Sequence, residues 1–245
     1  GGGDFNIPST AGLQVTRGQA NVSGDDTGIL LNGKLIVDGG TVDMDDALGN
    51  GNNYIEYSAS GQAEIRITDG SLIVGSQVRR QLLSTEGILK FTLGDGGAGS
   101  PVFIAGNNAA PESNRGVFEI ANNAGTEFNF LNGSFTIMNQ KATAGIASLF
   151  LHPSNYQIED AAVINIGGAD TQAGQIITVD TGIPLQNLTV NNTSGNDPTA
   201  RLVVEDLTLE NDLEIEAGTT FDANNLDVTI NGDLTNAGTY TPGTN

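Results

Sequence analysis

The run from Leu207 to Gly243, LTLENDLEIEAGTTFDANNLDVTINGDLTNAGTYTPG, limits most strongly what this chain can become. Apolar and polar residues alternate through Leu207-Thr208-Leu209, Leu213-Glu214-Ile215 and Val228-Thr229-Ile230, and each run stops at Gly, Asn or Asp. Alternation of period two over a few residues describes brief, half-buried strands joined by tight turns, with no helix between them. Related phrases occur earlier, at Ile29–Met44, Ile65–Val74, Phe128–Ile137 and Val228–Leu234, each with Asn-Gly or Asp-Gly at its centre. Asn-Gly between alternating apolar runs is also the signature of a two-residue hairpin, so an antiparallel meander competes as an arrangement. Irregular recurrence along the whole chain favours a solenoid, in which each coil buries its apolar face only by stacking on its neighbours. The expectation is an all-β, right-handed parallel β-helix with irregular loop insertions. Asn and Asp would stack along its axis, and Gly would supply positive φ at the bends. At roughly 20 to 30 residues per coil the chain makes on the order of ten coils.

Composition supports a narrow core. The 245 residues include 34 glycines, no Trp and only 5% aromatics, so Val, Ile, Leu and occasional Phe must fill the interior. Cysteine is absent, which removes disulfides and thiolate metal ligands. Acids outnumber bases 29 to 9, for a formal net charge of -20. Such a surface repels nucleic-acid phosphates, and no apolar run reaches the length needed to span a bilayer, so neither nucleic acid nor direct membrane insertion is expected. The chain opens Gly1-Gly2-Gly3-Asp4 without Met, as a processed product or a window of a longer protein would.

One domain, 1–245, is expected. Residues 1–24 read as a cap or edge, with strands at Leu13-Gln14-Val15 and Ala20-Asn21-Val22. Residues 94–116, rich in Gly, Asn and Pro around Val102-Phe103-Ile104, read largely as a loop inserted from the rod and as the preferred contact region. Gln77–Leu83 has a faintly helical pattern, and Gln140–Leu149 is the next candidate for an irregular or helical excursion.

From Ile183 onward the text resembles a known group. IPLQNLTVNN at 183–192, the Leu207 run and NGDLTNAGTY at 231–240 are similar to the strand-rich repeats of large Bacteroidetes surface proteins. The resemblance covers about the last quarter of the chain; the earlier coils match at the level of fold. It implies export by the type IX secretion pathway and display at the extracellular bacterial cell surface, in adhesin-like or gliding-associated proteins. The partners it implies are surface glycans or other cell-surface proteins, with self-assembly into a filament as an alternative.

Chemistry-bearing residues are few. Asp25-Asp26 and Asp43-Met44-Asp45-Asp46 bring carboxylates together in turns, and such oxygen donors suit Ca²⁺. Asp25, Asp26, Asp43, Asp45 and Asp46 are therefore the candidate metal ligands, weighed against solvated turn acids. Neither an EF-hand nor the glycine-rich nonapeptide of Ca²⁺-binding β-rolls is present. Asp25-Asp26 resembles the Asp pair of polygalacturonases, but no Gly-His-Gly or Arg-x-Lys follows, and His152 is the chain's single His. A carbohydrate-active β-helix, lyase or hydrolase, is the alternative reading. No catalytic residue and no required cofactor are assigned. Phe128, Phe130 and Phe135 recur at strand spacing as core residues, while one of Tyr54 and Tyr57 is expected to be exposed.

Overall fold

The computed structural model describes residues 3–45, 52–108, 114–140 and 145–243. Every pairing between its strands is parallel, and each strand pairs with the equivalent strand one coil away. A 10-stranded sheet forms the first face, starting with Phe5–Ile7 and ending with Thr239–Thr241. A 13-stranded sheet supplies the other two faces. They are joined where Lys34–Asp43 and Gln62–Val74 bend from one face to the next. This is a three-faced parallel β-helix.

In the fifth coil, for example, Phe118–Ile120 lies on face one, Glu127–Phe130 on face two and Ser134–Ile137 on face three. Ten strands on face one mark nine complete coils and the start of a tenth among the described residues, a rod about 45 Å long at about 4.8 Å per coil. The segment expected as a cap or edge is itself the first coil, with strands Phe5–Ile7, Gly12–Val15 and Gln19–Asn21.

The second corner, between faces two and three, is tight in most coils. Phe130 is followed by the next strand at Ser134, and Ile230 by the next at Leu234. Asp69-Gly70, Asn132-Gly133 and Asn231-Gly232 all fall there, so the recurrent phrases mark bends of a coil and not hairpins. Gly70 is fixed twice over: its φ is +82°, and a Cβ would lie 2.0 Å from the Gly40 carbonyl oxygen of the preceding coil. In later coils, polar side chains close the same corner. Asn187 Oδ1 accepts from the Asp212 N–H at 3.2 Å, and Asp212 Oδ1 from the Asp233 N–H at 2.8 Å. These bonds run along the axis and satisfy backbone donors where the ladder is interrupted.

Inward positions stack column upon column. In the fourth and fifth coils they are aromatic: Phe91, Phe103, Phe118, Phe128, Phe130 and Phe135 are fully buried. Phe91 meets Phe103 and Phe118 edge-on, each at 5.0 Å between ring centroids, and stacks on Phe128 at 5.7 Å. In later coils Leu188, Ala200, Leu213 and Ile215 occupy the interior. Phe therefore fills the wide coils and smaller side chains fill the narrow ones.

Two local expectations change. Within 94–116, Val102–Ala105 is a rung of face three, with Phe103 in the aromatic core, so this insertion is divided by a strand. Residues 109–113 lie outside the described part. The helical-looking stretch from Gln77 contains the face-one strand Val78–Arg80, paired with Tyr54–Tyr57. Of the Gln140–Leu149 candidate, 141–144 lie outside the described residues, and Leu149–Leu151 is a strand.

Phe118 contacts aromatic rings from both other faces. Phe118→Ala should destabilise the rod by about 3–5 kcal/mol, seen as an earlier denaturant midpoint and faster amide exchange in the fourth and fifth coils.

Candidate interaction surface

The coils differ in length chiefly at the third corner, where face three returns to face one. Successive face-one strands lie 19 residues apart at Thr220 and Thr239, but 40 apart at Val78 and Phe118. Much of the excess sits in the connections from Asp43 to Tyr54, Ala105 to Phe118, Ile137 to Leu149 and Ile166 to Ile176, all leaving that corner. A solenoid tolerates such additions where the chain has left the ladder, and they commonly gather on one side.

Amide side chains tie these connections to one another. Asp45 accepts from the side-chain amides of Asn107 and Asn108, two coils further along. Asn139, fully buried, donates to the carbonyls of Gly106 at 2.9 Å, Asn107 at 3.2 Å and Asp170 at 3.3 Å, and accepts from the Gln172 N–H at 2.8 Å. Asn196 Nδ2 then donates to the Thr171 carbonyl at 2.8 Å, and Asn192 Nδ2 to the Ala217 carbonyl at 2.7 Å. The result is a polar rail along the third corner. No periodic signal announces it, because its members lie 25 to 63 residues apart.

The expected metal ligands fall on the same corner. Asp25 and Asp26 are exposed in the connection leaving the first coil, with Asp26 at a φ of 50°. Asp43 and Asp45 occupy the end of the second coil: Asp43 accepts from the Gln19 side chain at 3.1 Å and from the Asp45 N–H at 2.9 Å. Asp46 lies outside the described residues. Among the described residues no group of three or more His, Asp or Glu side chains is placed to hold a metal ion.

A second feature, unforeseen apart from the adjacent Arg79-Arg80 pair, lies beneath the longest connection. Glu119 is 0% exposed and meets Arg80 at 3.1 Å and Arg115 at 3.5 Å. Arg79 pairs with Glu56 at 3.2 Å, donates to Gln77 Oε1 at 2.7 Å and lies 4.1 Å over the Tyr54 ring. Arg80 donates to the Thr85 carbonyl at 2.9 Å, and Arg115 to those of Gln81 and Ser84. Gln77 holds the Gly116 carbonyl at 2.8 Å. Buried guanidinium groups thus clamp both the 81–85 turn and the return of the long connection onto face one. Burial pushes the Tyr57 hydroxyl well above its ordinary value; the Glu119 charge adds to this, and Arg80 and Arg115 oppose it. That hydroxyl donates to the Glu119 carbonyl at 2.8 Å. Tyr54 is the partly exposed member of the tyrosine pair.

Face two carries a column of alternating charge, Lys34, Glu64, Lys90 and Glu127 in successive coils, with Lys34–Glu64 at 2.7 Å and Lys90–Glu127 at 2.6 Å. An open groove of about 540 Å³ beside it is lined by Ser9, Ser60, Gln62 and the first three of these charges. Its one carboxylate, Glu64, is ion-paired, whereas glycoside hydrolysis requires two. His152 is bonded to Asp180 at 3.0 Å.

No protein-family model, curated protein or solved structure matches the chain.

Two outcomes test the buried network. Glu119→Gln leaves guanidinium groups without their shared counter-charge and should cost about 3–5 kcal/mol, read by denaturant unfolding. Above about pH 10 an unfolded Tyr57 loses a proton that the folded one keeps. Stability present below that pH should therefore fall as pH rises, by up to about 1.4 kcal/mol per unit from this group. Tyr57→Phe should remove that part of the alkaline slope in pH-dependent unfolding.

Proposed function

We propose that this chain is a structural and adhesive segment of a large, secreted bacterial cell-surface protein, a stiff rod that presents loops and does no catalysis. The observation that carries this reading is the confinement of the long connections to one corner, bound together by the Asn139 rail. Loops fixed to one another along a rod form an extended, repeated contact strip, and many weak contacts along it add through effective concentration. The rail is built mainly from Asn, Gln and Thr, whose neutral donors and acceptors suit hydroxyl-rich partners such as surface glycans. The resemblance of residues 183–192 and 207–243 to Bacteroidetes surface repeats supports the same setting, with export by type IX secretion. Asp25, Asp26, Asp43, Asp45 and Asp46 would then recruit Ca²⁺ at the same corner when the loops engage an acidic glycan.

Immuno-electron microscopy of cells that make the protein, with an antibody to this segment, should place label on surface structures attached to the cell. Label confined to compact particles in the medium would overturn the reading. Asn139→Ala should weaken adhesion of segment-coated beads to glycan-bearing cells at least tenfold, whereas Asn129→Ala on face two should not.

A further inference from the structure

Face two is broken in the middle of the rod. The strand Asn155–Ile158 of the sixth coil pairs with Glu127–Phe130 on one side and with no strand on the other. The cause is the length of the seventh coil. The chain takes 12 residues to pass from Leu151 to Val163, but only 6 between their ladder partners Thr181 and Asn187. Six residues must run nearly straight across the corner, so residues 182–186 sit inside the line of the preceding coil. Pro184 lacks an N–H for any ladder there. Thr181 Oγ1 turns the backbone, donating to the Ile183 carbonyl at 2.8 Å and accepting its N–H at 3.3 Å. Leu185 instead joins the eighth coil through a bridge to Leu209.

The strand above is therefore a ledge. Asn155 and Glu159 direct their N–H groups to the Thr126 and Phe130 carbonyls. In a parallel ladder the alternate residues, Tyr156 and Ile158, then direct theirs to the other side, over the recess. The Ile158 carbonyl receives Gln186 Nε2 at 3.3 Å, which leaves the Tyr156 N–H and C=O and the Ile158 N–H on the open edge. The Tyr156 ring is 48% exposed, and in the eighth coil Val204 is 62% exposed. Below the ledge a hollow of about 180 Å³ is lined by Gly182, Ile183, Pro184, Glu205 and Asp206. Glu159, Asp160, Glu205, Asp206 and Glu210 are all exposed around it. Lys90, the nearest Lys or Arg along face two, lies two coils away and is paired with Glu127.

We propose that this ledge accepts an extended segment of another protein, one carrying basic side chains and an apolar residue, as an added strand. Free backbone groups on a sheet edge bind extended peptide main chain, and the acidic rim selects its charge. A second copy of this chain, also at a net charge of -20, is disfavoured by the same rim.

The test uses the 245-residue chain and a fluorescent octapeptide of alternating lysine and valine, with its glutamate–valine counterpart as control. In the free protein the Tyr156 and Ile158 amides should exchange at least tenfold faster than those of Asn155 and Gln157, and the lysine peptide should slow them. Anisotropy should show the glutamate peptide binding at least tenfold more weakly. Tyr156→Pro removes an edge donor and no ladder bond; it should keep the fold by circular dichroism and weaken the lysine peptide at least tenfold. Slow exchange at Tyr156 and Ile158 in the free protein, protection only at the terminal coils, unchanged affinity in folded Tyr156→Pro, or protection that appears with protein concentration alone would each overturn the proposal.

Discussion

The parallel hydrogen-bond ladder between coils is the constraint on which the rest of the structure depends. No coil can bury its apolar side chains alone, and each does so by lying in register on the next. Register places Val102, Ser134, Val163 and Asn187 above one another, and the inward residues that follow them, Phe103, Phe135, Ile164 and Leu188, become a continuous core. Wherever the chain leaves the ladder, its backbone groups need other partners. Asn and Asp serve the second corner, and Asn and Gln the third. The abundance of these residues is thus a consequence of the fold's many corners.

Much of this is legible locally. The alternation in Leu207–Leu209 and Leu213–Ile215 reflects burial on one side of each rung, and the structure shows it residue by residue. Phe128, Phe130 and Phe135 are core residues for the same reason. Val78–Arg80 escapes the pattern because both of its arginines are buried in ion pairs, so polarity no longer reports exposure there. Val102–Ala105 is hidden by the Gly-rich text on either side, which marks departures from the rod on both flanks of a genuine rung. The candidate site is less legible. Its partners are set by coil length, which varies from 19 to 40 residues, and no fixed spacing in the sequence links Asp45 to Asn107 or Asn139 to Asp170.

Charge is distributed unevenly along the rod. Of the few basic residues, Arg79, Arg80 and Arg115 are buried together at the longest connection, where two acids and several carbonyls surround them. A guanidinium offers five donors in a fixed plane, so it can satisfy a carboxylate and the carbonyls of an irregular turn at once. This explains how face one tolerates a long excursion without losing its next rung.

The change in girth at the seventh coil also gives the rod a mechanical direction. Before it, Phe-filled coils carry a broad face two; after it, the path between faces one and three shortens and smaller side chains suffice. Resistance of a beam to bending rises steeply with its width. Under a sideways load, curvature would therefore gather in the slender coils beyond Asn187, while the thick coils that carry the longest connections would stay straight. A surface pressed against the third corner would meet a rigid strip mounted on a more compliant stem.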